Sequence, residues 1–222
     1  MHRTISLGRC FMAVALATIL LIYPAAGLAE LGALVPPPPL PSPPAATSST
    51  VVGDASAARV SVLGILGTAM TTALADTGTL SGVNDARDAS TVIGSVPSTL
   101  SAETLSAATV SWVDQVDSEA SLTNLSMTVA GIGITADSVI AQASQVLGAA
   151  GSGTSYIDNL SINGTPIAVT GAPNQAVWIP GGQVIINEQS VSSNGTAVVN
   201  ALHVAITGVA DVVIASATAG IS

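Results

Sequence analysis

Ile162-Asn163-Gly164-Thr165, Ile179-Pro180-Gly181 and Ser193-Asn194-Gly195-Thr196 punctuate the stretch Asn159–Ile206, and short β-branched runs lie between them. Each Asn-Gly pair suits a two-residue type I′ hairpin, whose central residues both need φ > 0, a region that Asn and Gly enter at least cost. Ile179-Pro180-Gly181 reads as a turn with Pro at i+1 and Gly at i+2, joining Ala176-Val177-Trp178-Ile179 to Val184-Ile185-Ile186-Asn187. The fold class expected is therefore all-β, an antiparallel two-sheet β-sandwich, with an irregular β-solenoid as the alternative.

The Asn163-Gly164 hairpin also sets a register. Ile162 and Thr165 should form the hydrogen-bonded pair, and Ser161 and Pro166 the non-hydrogen-bonded pair beside it. Pro166 has no N–H to offer on its other flank, so Thr165–Val169 is expected to be an edge or bulged strand.

Working outward, the body is built from Ala, Val, Ser, Thr, Gly and Ile, with Trp112, Tyr156 and Trp178 as its aromatics. Small and β-branched side chains suit closely spaced pleated sheets. Strands are predicted over Ala58–Leu66, Thr104–Val113, Ala120–Val129, Gly133–Ala143, Ser155–Ile162, Thr165–Val169, Gln175–Ile179, Gln183–Glu188, Thr196–Ile206 and Ala210–Ala217. Thr77–Ser90 and Gly148–Thr154 read as loops. Asp137–Gly148 has helix-like apolar spacing. An internal echo favours strand for its first half: Ala136-Asp137-Ser138-Val139-Ile140-Ala141-Gln142-Ala143 parallels Ala210-Asp211-Val212-Val213-Ile214-Ala215-Ser216-Ala217. Ala102-Glu103-Thr104-Leu105-Ser106-Ala107 is a fainter copy. The copies are unequally spaced, which speaks against stacked coils of fixed period.

Residues 1–29 read as a secretory signal peptide. His2, Arg3 and Arg9 precede the apolar run Phe11–Ile22, and Gly27-Leu28-Ala29 offers a cleavage site ahead of Glu30. An uncleaved N-terminal anchor is the alternative. Cys10 would leave with the signal, so the exported chain would hold no cysteine and no disulfide. Residues 30–50 form a Pro-rich linker whose run Pro36–Pro44 should be a stiff polyproline II spacer of roughly 28 Å. It is either a stalk or a solvated tail.

Residues 51–222 are the β-rich module. After cleavage Arg59 and Arg87 face 13 acidic residues, a formal charge of −11. Such a surface repels phosphate backbones, so no nucleic-acid partner is expected.

Six pieces stand in a recognisable order. Asn159-Leu160-Ser161-Ile162-Asn163-Gly164-Thr165-Pro166-Ile167 comes first, followed by Gly171-Ala172-Pro173-Asn174-Gln175 and Ile179-Pro180-Gly181-Gly182. Then come Ile186-Asn187-Glu188-Gln189, Val199-Asn200-Ala201-Leu202-His203-Val204 and Val209-Ala210-Asp211-Val212-Val213-Ile214-Ala215-Ser216-Ala217. Over residues 159–217 this order resembles the bacterial choice-of-anchor P family. The resemblance implies an exported module of uncharacterised biochemical role and supplies no catalytic residues. No sorting signal follows the final strand, so release or non-covalent surface retention is expected, with no C-terminal membrane anchor.

His203 is the histidine that remains after signal removal. Strict alternation over Val198–Ile206 puts Val198, Asn200, Leu202, Val204 and Ile206 on one face and His203 on the other, with Val199, Ala201 and Ala205. It reads as a partly exposed strand residue. A Ser-His-Asp arrangement using nearby Asp211 is the sharper alternative, without a Gly-x-Ser-x-Gly turn to support it. Asp85 and Asp88, and Asp114, Asp117 and Glu119, are candidate oxygen ligands for Ca²⁺, although neither group has EF-hand spacing. Solvated loop carboxylates are the ordinary reading. Asn124, Asn159, Asn163 and Asn194 each open an Asn-x-Ser/Thr triplet, which is expected by chance in a chain this rich in Ser and Thr.

The expected function is thus a secreted or cell-surface, non-enzymatic module with a structural or interaction role and no cofactor. Its partner would belong to the cell envelope or surface. A secreted hydrolase using Asp211 or the Asp114–Glu119 group, and a calcium-dependent adhesive domain, are the rival readings.

Overall fold

The computed structural model describes residues 49–63 and 68–222, so the signal peptide, the linker up to residue 48 and the end of the predicted strand Ala58–Leu66 lie outside the described residues. The strands are β1 (Val51–Leu63), β2 (Ala69–Asp76), β3 (Ala86–Val96), β4 (Leu100–Ser111), β5 (Gln115–Val129), β6 (Ile132–Val146) and β7 (Ser152–Asp158). They are followed by β8 (Ser161–Ile162), β9 (Thr165–Pro166), β10 (Gln175–Ile179), β11 (Gly182–Val191), β12 (Ala197–Ile206) and β13 (Ala210–Ile221). Sheet A has the order β10-β11-β12-β13-β1-β2, and sheet B the order β3-β4-β5-β6-β8-β9, with β7 also pairing β6. All pairings are antiparallel. β13 packs on β5 and β6, and β1 on β4 and β5, so the two sheets form a β-sandwich.

Between the sheets lie Val60, Ile186, Leu202, Val212 and Ile214 from sheet A and Val116, Leu122, Met127, Ile134 and Val139 from sheet B, all buried. Alanines set the spacing. Ala107, Ala120 and Ala141 stand in one register row across β4, β5 and β6, each at most 1% exposed. Polar ties also cross the core. Ser118 Oγ donates to the Thr218 carbonyl at 2.6 Å and lies 2.7 Å from Thr109 Oγ1. Gly153 on β7 lets the sheets approach closely, because a Cβ there would meet Val199 Cγ2 at 2.2 Å.

The turns follow their sequences with one exception. Asn163 (φ 50°) and Gly164 (φ 73°) make the type I′ turn, and the pairs Ile162↔Thr165 and Ser161↔Pro166 stand as expected, with β9 at the sheet edge. Pro180-Gly181 closes β10 to β11 with Gly181 at φ 78°. The Asn194-Gly195 site is not a two-residue hairpin. Val191 pairs with Ala197, so the loop spans five residues, and of its Asn-Gly pair Gly195 alone has positive φ. Asn194 instead accepts from Ser192 Oγ and Thr196 N through its side chain, and its carbonyl accepts from Gln145 Nε2 at 3.2 Å. The wider loop reaches that buried glutamine, which a tight turn would not.

Other expectations need correction. Two strands, β2 and β3, were not predicted, and the C-terminal end of the expected loop Thr77–Ser90 lies in β3. Their side chains are mostly exposed, so they carry no apolar alternation to read. Ser152–Thr154, read as loop, opens β7, and Asp137–Val146 is strand throughout. The internal echo also changes meaning. Ala136–Ala141 on β6 matches the fainter copy Ala102–Ala107 on β4, since both bury their first, fourth and sixth residues. Ala210–Ala215 buries a different set.

The reason is a crease across each sheet, where inward–outward alternation changes phase. In sheet A the consecutive pairs Ala57/Ala58, Ala201/Leu202 and Ile214/Ala215 are all buried, and Ala75, Asn187 and Ala215 take φ between 46° and 54°. In sheet B two outward residues intervene between buried ones: Ala102 to Leu105, Leu122 to Leu125 and Ala136 to Val139. Thr104 (φ 48°), Asn124 (φ 50°) and Asn159 (φ 51°) mark that crease. Asn accepts such a backbone more readily than most residues. Three of the four glycosylation-like asparagines therefore sit where the chain needs φ > 0: Asn124 and Asn159 at the crease, Asn163 in its turn.

Candidate functional site

The crease in β12 decides what surrounds His203. Because alternation changes phase at Ala201, Asn200 and His203 both face outward, while Val199 and Ala201 turn into the core. The face expected from strict alternation, with Asn200 opposite His203, is corrected accordingly. The register then brings Glu188 from β11 and Ser216 from β13 to either side of Asn200. Asn200 Nδ2 donates to Glu188 Oε2 at 2.6 Å, and Ser216 Oγ donates to Asn200 Oδ1 at 2.7 Å.

His203 Nδ1 lies 2.9 Å from the same Glu188 Oε2, and its Nε2 lies 3.1 Å from Asp211 Oδ2. Partial burial opposes charge on the ring. The hydrogen bonds and negative charges of Asp211 and Glu188 outweigh it, and the His203 pKa is held above the ordinary 6.5. A doubly protonated imidazolium donating from both nitrogens satisfies this geometry. Asp211 does meet His203, as the triad alternative required. The nitrogen that would face a nucleophilic serine is instead taken by Glu188, so the arrangement is an ionic tie across three strands.

The carboxylates considered for calcium are dispersed. Asp85 accepts from Ser81 N at 2.7 Å, Ser81 Oγ at 2.8 Å and Arg87 Nε at 3.2 Å. The Ser81 backbone bond and then its hydroxyl lower the Asp85 pKa to about 2 against an opposing desolvation, with Arg87 adding a weaker lowering. Asp114 lies in the turn between β4 and β5. Among the described residues no group of three or more His, Cys, Asp or Glu side chains converges closely enough to hold a metal ion.

Asp88, Asp117 and Glu119 instead line a shallow trough of about 600 Å³ across β3, β4, β5, β6 and β7. One register row runs Asp88–Ala108–Glu119–Gln142–Thr154, and the next runs Ala86–Val110–Asp117–Ser144–Ser152. Gln142 Nε2 donates to Glu119 Oε2 at 2.6 Å, and Gln115 Nε2 donates to Asp117 at 2.9 Å. Ala86, Ala108 and Val110 line the trough's β3–β4 end, and the acidic and polar side chains of β5, β6 and β7 line the rest.

Glu188, Asn200, Ser216, Gln142 and Thr154 escaped the sequence reading, because each acquires its neighbours through strand pairing and not through local spacing. Comparisons with protein-family models, with curated proteins and with solved structures find no match.

Proposed function

We propose that this chain is an exported, non-enzymatic β-sandwich module with a structural or interaction role at the cell surface. The observation that carries the reading is the trough: an open depression built from outward side chains of regular strands, suited to holding a partner against a rigid sheet. The pairing of both His203 ring nitrogens with carboxylates supports it, since a general base needs a nitrogen within reach of the proton it takes. Export rests on the signal-peptide pattern of residues 1–29 and on the resemblance to the choice-of-anchor P family, whose members are exported modules.

Fractionation of the native cells with N-terminal sequencing tests location, and sedimentation of purified protein with native envelopes tests interaction. The reading expects a mature chain beginning at Glu30 outside the cytoplasm and saturable envelope binding. A cytoplasmic chain retaining Met1 contradicts it. So does turnover of ester or glycoside substrates that Asp211→Asn abolishes.

A further inference from the structure

We infer that the trough on the outer face of sheet B binds an uncharged, hydroxyl-rich glycan, whose sugar rings lie across β3 to β7. The inference rests on the interaction-module reading and names its ligand class.

Size and shape come first. Four inter-strand steps of about 4.8 Å give a trough roughly 19 Å long, room for several rings in line. Its volume of about 600 Å³ falls within the range of small-ligand sites.

The lining supplies the matching chemistry. Ala86, Ala108 and Val110 make an apolar floor at the β3–β4 end, against which the C–H face of a sugar ring can lie. Glu119, Gln142 and Thr154 stand in one row, and Glu119 is already held by the Gln142 amide at 2.6 Å. That prior bond reduces the ordering cost of binding. Carboxylates only accept, whereas amides and hydroxyls also donate, and sugar hydroxyls answer both kinds of group. At the β7 end Tyr156 follows Thr154 on the same outward face and is 56% exposed, offering an aromatic surface beside the trough.

Charge and backbone narrow the occupant. Asp88, Asp117 and Glu119 disfavour sulfated, phosphorylated or uronate-rich chains. Arg87, at the rim, is held by Asp85. The interior strands spend their backbone groups on the sheet ladder, so recognition must use side chains. A peptide added as a further strand would instead seek a sheet edge.

The test is affinity electrophoresis of the purified protein in gels holding a neutral mannan or β-glucan, with heparin and a Lys-rich decapeptide as separate arms. A neutral glycan is expected to retard the protein. Ala108→Trp, which fills the floor, and Gln142→Ala, which removes the amide, should each weaken retardation about tenfold. Trp178→Ala, on sheet A, should leave it unchanged. Far-ultraviolet spectra and melting midpoints of the exposed-site variants establish that they are folded. Retardation by no neutral glycan, equal retardation of the Ala108→Trp protein, or binding to heparin or the peptide alone would overturn the assignment. If envelope binding persists in any of those cases, the interaction-module reading stands and only the glycan assignment falls.

Discussion

The side-chain carbonyl of Gln145, at the end of β6, accepts a 2.9 Å hydrogen bond from the backbone N–H of Ile221, at the end of β13 in the other sheet. Its amide donates to the carbonyls of Ala149 at 2.9 Å and Asn194 at 3.2 Å, and the residue is 2% exposed. One side chain thus joins both sheets and the β11–β12 loop.

Gln145→Leu keeps approximate volume but strands the buried Ile221 N–H and removes a donor from the part-buried carbonyls of Ala149 and Asn194. Each buried unsatisfied group costs roughly 1–3 kcal/mol. With one such group fully buried, the expected loss is about 2 kcal/mol, measured as a shift in urea midpoint at constant slope.

His203 links pH to stability. Its folded pKa lies above 6.5 because of Asp211 and Glu188, so its contribution is complete below pH 6.5 and fades as the pH rises through the folded value. His203→Gln should lower the melting temperature at pH 5.5 and converge with the wild type in alkaline solution. Parallel curves for the two proteins would show that the imidazolium tie is absent.

Asp85 acts in the opposite sense. Its folded pKa of about 2 lies below the usual 3.8, so its contribution is present above pH 3.8 and disappears as the pH falls toward 2. Asp85→Asn should destabilise at neutral pH and match the wild type near pH 2, as followed by thermal melts across that range.

Thr104 holds a β-branched side chain at φ 48° on an exposed stretch of β4. Asn tolerates this backbone better, and Thr104→Asn should raise stability by about 1 kcal/mol. An equal or lower stability would mean that the crease costs nothing at this position.

Ser56 is 1% exposed, and its hydroxyl has no hydrogen-bond partner among the described residues. Removing an unsatisfied buried hydroxyl recovers its desolvation cost, so Ser56→Ala should stabilise by about 1 kcal/mol in the same melts.

The readable part of the fold was the part obeying local rules. Asn163-Gly164 and Pro180-Gly181 need particular φ values, so their turns, and the Ser161↔Pro166 register, could be read directly. β3 could not, because Arg87-Asp88-Ala89-Ser90-Thr91 resembles a polar loop and becomes strand through its pairing with β4. The neighbourhood of His203 was misread for a different reason. Period-two alternation assumes an unbroken pleat, and the crease at Ala201 breaks it. Glu188 and Asp211 reach the imidazole from separate strands, so only the register of β11, β12 and β13 reveals the tie. The trough is similar: local spacing puts Asp88 with Asp85 and Glu119 with Asp114 and Asp117, and the row that Asp88 and Glu119 share with Gln142 exists only once β3 to β7 are aligned.

Mapping ¹H–¹⁵N chemical-shift changes as solubilised native envelope material is titrated into the labelled protein most directly tests the claim that sheet B carries the working surface. The largest changes are expected at Asp88, Ala108, Glu119, Gln142 and Thr154, with Trp178 and His203 unmoved. Changes centred on His203 and Asp211, or none anywhere at saturating envelope material, would contradict it.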